Sequence, residues 1–219
     1  MLKRLCTFAF VILILPFSSP LWAAVEQKIL LVGDSLGASY GVPSDKGWVA
    51  LLNARLAQEG RPVKIINASI SGDTTAGGRA RLQSLLQQEQ PQWVLIELGG
   101  NDGLRGLSLK AMRENLEAMV AMVREQGAQP ALVGIKIPPN YGRKYRDRFE
   151  QVFVDISEQQ NVPLLPFLLE NVGGVGNYMQ DDRIHPNTEA QPLIADNVWT
   201  FLQALMQVKS GAESRGLDG

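Results

Sequence analysis

The chain has one histidine among 219 residues, His185, in the run Asp181-Asp182-Arg183-Ile184-His185-Pro186. A serine hydroxyl is a poor nucleophile at neutral pH until a base takes its proton, and imidazole is the usual base. The candidate nucleophile is Ser35, in Gly33-Asp34-Ser35-Leu36. A third group must hold the ring in one tautomer and stabilise the imidazolium. Asp182, three residues before His185, can reach back to the ring while Nε2 faces the serine; Asp181 is the second choice. Acyl transfer also needs donors where charge develops on the acyl oxygen. Three candidates are the backbone N–H of Ser35, the N–H of Gly72 in Asn67-Ala68-Ser69-Ile70-Ser71-Gly72-Asp73-Thr74, and the side-chain amide of Asn101 in Gly99-Gly100-Asn101-Asp102. Gly72 lets the backbone approach with no Cβ in the way. Singly, each cluster reads as an ordinary turn or a structural histidine. Their convergence is what carries the chemistry.

Such convergence needs a scaffold that delivers all four loops to one end. Short apolar runs at Ile29–Val32, Val63–Ile66, Trp93–Leu98, Ala131–Ile137 and Val162–Leu165 read as strands. Helical patterns lie between them, at Trp48–Glu59, Arg79–Gln88, Leu109–Glu125, Arg146–Gln160 and Glu189–Val208. In the clearest, Met112, Leu116, Met119 and Val123 recur at helical spacing, with Ser108 as N-cap and Gly127 as stop. Strands apolar on both faces that alternate with helices imply a parallel sheet between two helical layers, a three-layer α/β/α domain. Ligands bind outside the carboxyl ends of such strands, and each polar cluster follows a strand or precedes the last helix. No repeat or linker divides residues 24–219, which read as one domain with a frayed, disordered tail from about 211.

Lys and Arg number 21 against 22 Asp and Glu, a formal charge of −1 that leaves no basic footprint for nucleic acid. A hydrophobic content of 45% argues against disorder. One Cys and one His exclude a disulfide framework and a Cys/His zinc cluster. Residues 1–23 read as a secretory signal: Lys3 and Arg4, an apolar Phe8–Phe17, then Ala23 and Ala24. Pro16, Ser18, Ser19 and Pro20 interrupt the run, which argues against a membrane-spanning anchor. Cleavage removes Cys6 and two of the 21 basic residues but none of the 22 acidic ones, leaving −3. The product is expected to be soluble, periplasmic or secreted, without a stable membrane anchor, and monomeric.

On these stretches, with Glu97-Leu98-Gly99-Gly100-Asn101-Asp102-Gly103-Leu104-Arg105-Gly106, Pro139-Asn140-Tyr141-Gly142 and Asp182 to Asn187, nearly all of the mature chain resembles the SGNH (GDSL-type) hydrolases. The resemblance implies a flavodoxin-like sheet of five parallel strands and no metal or organic cofactor. It implies Ser35 as nucleophile, His185 as base, Asp182 as its orienter, and Ser35, Gly72 and Asn101 as the oxyanion hole, in agreement with the reading from the residues. It further implies an acyl ester, thioester or lysolipid substrate, as in the family's bacterial periplasmic thioesterases and lysophospholipases. One departure is Arg183, where the family often has glycine; it is either a solvated loop residue or a partner for an anionic head group.

Leu104 and Leu107 in the segment Gly103–Leu109, with Ile137, Pro138, Tyr141 and Ile184, supply apolar side chains for an acyl wall. A carbohydrate O-acetyl esterase would use the same triad on a shorter acyl group. A metal-dependent phosphoesterase built on Asp34, Asn101, Asp102, Asp182 and His185 has too few histidines. A dinucleotide site fails because Gly33, Gly37 and Gly41 miss the required spacing. A non-catalytic binding module would not need the full set. Glu97 lies within an apolar strand, which calls for a structural hydrogen-bond partner.

Overall fold

A computed structural model describes residues 26–215 of the chain, so the expected signal segment lies outside the described residues. Five strands, β1 (Gln27–Gly33), β2 (Val63–Asn67), β3 (Trp93–Glu97), β4 (Gln129–Val133) and β5 (Leu164–Leu165), form a sheet in the order β2-β1-β3-β4-β5. Every neighbouring pair is parallel. Six helices alternate with them: α1 (Trp48–Gln58), α2 (Thr75–Glu89), α3 (Gly100–Leu104), α4 (Leu109–Glu125), α5 (Arg143–Gln160) and α6 (Gln191–Arg215). This is the five-stranded α/β/α arrangement expected from the sequence.

Alternation along the strands sorts side chains into two cores. Ile29 and Leu31 of β1 face a layer that includes Trp48, Leu52 and Leu56 of α1 and Val198, Trp199 and Leu202 of α6. Leu30 and Val32 face the opposite layer of α2, α4 and α5, where Leu82, Met112, Leu116, Phe149 and Phe153 pack. Ser108 caps α4 as expected, its hydroxyl accepting from the Ala111 N–H at 3.3 Å.

Several boundaries differ from the sequence reading. β4 stops at Val133 rather than Ile137, because the chain turns away toward Pro138 and Pro139, which have no N–H to extend a ladder. Ile135 and Ile137 stay buried and line a cavity instead. Two prolines, Pro163 and Pro166, confine β5 to two residues. α2 begins at Thr75, four residues before Arg79, behind the N-cap Thr74. Gly77 and Gly78, weak helix formers, hide that first turn. Gly78 is required there, since a Cβ would come within 2.1 Å of Leu98 Cδ1. α5 starts at Arg143 rather than Arg146. α6 spans Gln191–Arg215, where the sequence reading ended the last helix at Val208.

The short α3 was not foreseen. Its Asp102, 3% exposed, accepts from Thr75 N–H at 2.9 Å and from Thr75 Oγ1 at 2.6 Å, while Asn115 of α4 donates to the same hydroxyl at 3.2 Å. Three helices therefore meet at one buried polar knot beneath the site loops. Asp102→Ala would strand the buried N–H and O–H of Thr75, for an expected loss of about 2–4 kcal/mol in urea unfolding. A loss below about 0.5 kcal/mol would show that the knot is dispensable.

Candidate active site

The sheet order reverses direction between β1 and β3, and the loops after these two strands open a crevice there. Ser35 follows β1 and Asn101 lies in the first turn of α3, just after β3. Gly72 comes from the loop after β2, and Asp182 and His185 come from the loop between β5 and α6. All five sequence-selected residues are thus delivered to the same edge.

Ser35 Oγ lies 2.8 Å from His185 Nε2, and His185 Nδ1 lies 2.6 Å from Asp182 Oδ2. Burial pushes the Asp182 carboxyl up, but the His185 side chain, the N–H groups of His185 and Ile184, and the imidazole charge outweigh it and hold the group down to about 2. An ionised Asp182 can only accept, so Nδ1 carries the proton and Nε2 is left to accept from Ser35 Oγ–H. The other Asp182 oxygen accepts the Ile184 and His185 N–H groups at 2.9 and 3.0 Å, which fixes the loop around the ring. Asp181, the second choice, is exposed, and the ring contact belongs to Asp182. Tyr40 lies against the imidazole with ring centroids 4.9 Å apart.

The histidine loop is tied to the serine turn at several points. Gln180 donates from Nε2 to Tyr40 O at 2.7 Å and to Pro186 O at 2.9 Å. At the start of α6, the buried Gln191 Oε1 accepts from Ser39 Oγ and Trp48 N–H, each at 3.1 Å. These long-range bonds set the reach of His185 toward Ser35.

Among the described residues, the N–H groups of Ser35 and Gly72 donate to no protein acceptor. Gly72 has φ +80°, a conformation that side chains rarely adopt. Arg105 Nη2 donates to Gly72 O at 2.9 Å and lies 3.5 Å from Asn101 Oδ1, occupying the carbonyl sides of both groups. Asn101 Nδ2 spends one hydrogen on Asp34 Oδ2 at 3.0 Å and keeps the other free. Arg81 ties the ends of β1 and β2, bonding to Gly33 O, Ala68 O and Asp73 Oδ2.

Glu97 has its partner: Oε2 accepts from Asp34 N–H at 3.1 Å and Gly37 N–H at 3.0 Å, while Oε1 is buried without one. Gly33 and Gly37 are needed to admit this carboxyl, since a Cβ would come within 2.5 Å of Oε2 at Gly33 and 2.9 Å at Gly37. Burial pushes Glu97 well above the carboxylate range, and the Asp34 charge pushes it further. Burial likewise raises Asp34 to about 6, against the Leu36 N–H and the Asn101 amide that favour its charged form.

A cavity of about 100 Å³ holds Ser35, His185 and Asn101 on one side and Leu104, Ile137 and Ile184 on the other. Pro138 and Tyr141 line an adjoining open groove of about 1040 Å³. Leu107 is a correction: it is 44% exposed and lines none of these spaces, while its N–H closes the end of α3 on Asp102 O at 2.9 Å. Leu169, a wall residue with no local motif, was not foreseen. Nor does the set weighed for a metal centre converge: both Asp102 oxygens are taken by Thr75, and among the described residues no group of three His, Cys, Asp or Glu side chains is placed to hold an ion.

A family model described as the GDSL-like lipase/acylhydrolase family matches residues 31–192. The chain is 50% identical to "Esterase TesA" of Pseudomonas aeruginosa over 183 residues, 84% of this chain and 91% of that one. It is 45% identical over 184 residues, 84% of this chain and 87% of the other, to "Thioesterase 1/protease 1/lysophospholipase L1" of Escherichia coli. A crystal structure of TesA superposes with a TM-score of 0.80 at 50% identity, covering 82% of this chain and 99% of that one.

The two perturbed aspartates of the site, Asp34 and Asp182, act on stability in opposite senses. Asp34 holds its proton more tightly folded than unfolded, so its contribution is full below about pH 4 and is lost as pH rises through about 6. Asp182 contributes above about pH 4, and that contribution is lost as pH falls toward about 2. Asp34→Asn should therefore flatten the decline in urea midpoint between about pH 4 and 7. An unchanged slope would refute the assignment.

Proposed function

The chain belongs to the GDSL-like lipase/acylhydrolase family, and from that premise we propose that it cleaves acyl esters and thioesters through an acyl-enzyme on Ser35. Its relatives include proteins named esterase and thioesterase, and it is a hydrolase of that class. The observation that carries the mechanism is the 2.8 Å contact of Ser35 Oγ with a His185 whose far nitrogen is held by Asp182.

Ser35 Oγ attacks the acyl carbonyl while its proton passes to His185 Nε2. The oxyanion accepts from Ser35 N–H, Gly72 N–H and the free hydrogen of Asn101 Nδ2. Asp182, ionised down to about 2, stabilises the imidazolium without taking its proton. The alkoxide or thiolate leaves with the His185 proton, giving an acyl-serine. Water, deprotonated by His185, attacks this ester; the second intermediate collapses to the carboxylic acid and returns the proton to Ser35.

Leu104, Ile137, Ile184 and the unforeseen Leu169 form the wall nearest Ser35 and receive the first acyl carbons. Longer chains continue past Pro138 and Tyr141 in the open groove. The substrate is a small acyl ester, thioester or lysolipid, taken by a monomer without cofactor. Residues 24–219 act as one exported domain after removal of the leader, a reading supported by Lys3, Arg4 and the apolar Phe8–Phe17. Among the described residues no helix is long and apolar enough to cross a membrane.

The test is hydrolysis of p-nitrophenyl esters from acetyl to palmitoyl. Activity should rise beyond acetyl and vanish in Ser35→Ala. Asn101→Ala should lose about 10²–10³ in kcat, and His185→Ala more. Retention of more than about a tenth of turnover by His185→Ala would overturn the triad. Preference for acetyl alone would favour the carbohydrate O-acetyl esterase.

A further inference from the structure

Among the described residues, five large hydrophobic side chains are between 38% and 53% exposed: Tyr40, Ile70, Leu107, Val175 and Ile184. Singly, such residues are ordinary on a protein surface. These are not scattered. Tyr40 lies between β1 and α1, Ile70 between β2 and α2, Leu107 between α3 and α4, and Val175 and Ile184 between β5 and α6. Every one therefore stands at the carboxyl end of the sheet, the end that holds Ser35. The outer helix faces and the amino end of the sheet present none among the described residues.

The remaining strand-to-helix connection, between β4 and α5, brings charge instead. The run Arg143-Lys144-Tyr145-Arg146-Asp147-Arg148 opens α5 with four bases and one acid. Cations in the first turns oppose the helix dipole, so α5 gains nothing from them. Arg143, Lys144 and Arg148 are exposed around a shallow depression of about 370 Å³, which they share with Tyr141 and Tyr145. Asp147 pairs with Arg143 at 3.5 Å, and among the described residues Lys144 and Arg148 form no ion pair. Tyr141 also lines the open groove, and Ile184 lines both that groove and the Ser35 cavity. Basic depression, groove and nucleophile thus belong to one continuous surface.

We propose that this end of the molecule docks reversibly on an anionic phospholipid bilayer, its apolar loop tips entering the headgroup boundary and Arg143, Lys144 and Arg148 facing the negative surface charge. Peripheral binding of this kind scales with the apolar area buried plus the attraction of bases to anionic lipid. Each base near such a surface is worth about fivefold in partition. Five separate side chains on loop tips suit shallow insertion and do not make an anchor. The choice of a bilayer over a protein partner rests on the hydrolase reading above: a folded partner seated here would cover the mouth of the Ser35 cavity, whereas a bilayer can deliver an ester to it. The proposal concerns where the enzyme sits and leaves the choice of ester to the cavity.

The test is co-sedimentation of the mature chain, carrying Ser35→Ala so that lipid stays intact, with vesicles at low ionic strength. One set is phosphatidylcholine alone; the other is phosphatidylcholine with an equal amount of phosphatidylglycerol. Partition onto the anionic set should exceed that onto the neutral set by at least about fivefold and should fall as salt is raised. Ile70→Ser/Leu107→Ser/Val175→Ser should lower it at least about tenfold. Arg143→Gln/Lys144→Gln should cancel most of the anionic preference. Lys64→Gln/Arg124→Gln removes two exposed charges from the amino end of the sheet and should leave that preference in place. With Ser35 restored, each variant should hydrolyse soluble p-nitrophenyl butyrate at the wild-type rate, which separates docking from chemistry and from misfolding. Equal partition onto the two sets, or anionic partition unmoved by the triple variant or by Arg143→Gln/Lys144→Gln, overturns the proposal. A lipid-free dimer in sedimentation equilibrium that the triple variant disperses also overturns it, in favour of an interface between copies of the chain. Failure of the hydrolase reading itself would appear separately, as p-nitrophenyl butyrate turnover that survives Ser35→Ala.

Discussion

A single buried oxygen, Glu97 Oε2, accepts the N–H groups of Asp34 and Gly37 and so fastens the turn that carries Ser35 to the end of β3. β1 and β3 are neighbours, and the switch in sheet order opens the crevice between their carboxyl ends. With no Cβ at Gly33 or Gly37, the carboxyl can lie directly under the backbone it receives. An acid in this position is costly when charged, and burial drives it toward its neutral form. The polar interior here is therefore a constraint on geometry more than a source of stability.

From that anchor the arrangement propagates through Asp34. Its backbone is held by Glu97, one carboxyl oxygen accepts the Leu36 N–H at 3.0 Å, and the other accepts from Asn101. The residue before the serine thereby fixes both the turn of the nucleophile and the amide that faces it from the next strand. Arg105 holds the carbonyl sides of Gly72 and Asn101, which leaves their N–H groups directed elsewhere. Donors that are fixed in place but uncommitted need little rearrangement when charge appears on a substrate oxygen, which is the physical requirement for stabilising an acyl-transfer transition state.

The residues that touch the reacting atoms were legible because each stands in a short local cluster: Ser35 in Gly-Asp-Ser, Asn101 in Gly-Gly-Asn-Asp, Asp182 and His185 three residues apart. A parallel α/β sheet converts such loops into neighbours by topology alone. What escaped the sequence is whatever depends on long-range contact. Glu97 meets Asp34 across 63 residues and Arg81 meets Gly33 across 48, and neither pairing leaves a local pattern. The extent of β4 was misjudged because Ile135 and Ile137 are buried against a cavity rather than within the ladder, and hydrophobicity alone does not separate the two. Leu107 failed for the opposite reason, since being near the site in sequence did not turn its side chain toward it.

The division of labour across the crevice follows from which walls are tied. On the β1–β2–β3 side, carboxylates and arginines cross-link every turn, so the reacting geometry is specified. On the other side, Ile137, Pro138 and Ile184 meet a substrate mostly through apolar surface, which discriminates weakly by itself. Sharper discrimination requires polar groups that are unsatisfied until the right ligand arrives, because only then does the wrong ligand leave something unpaired.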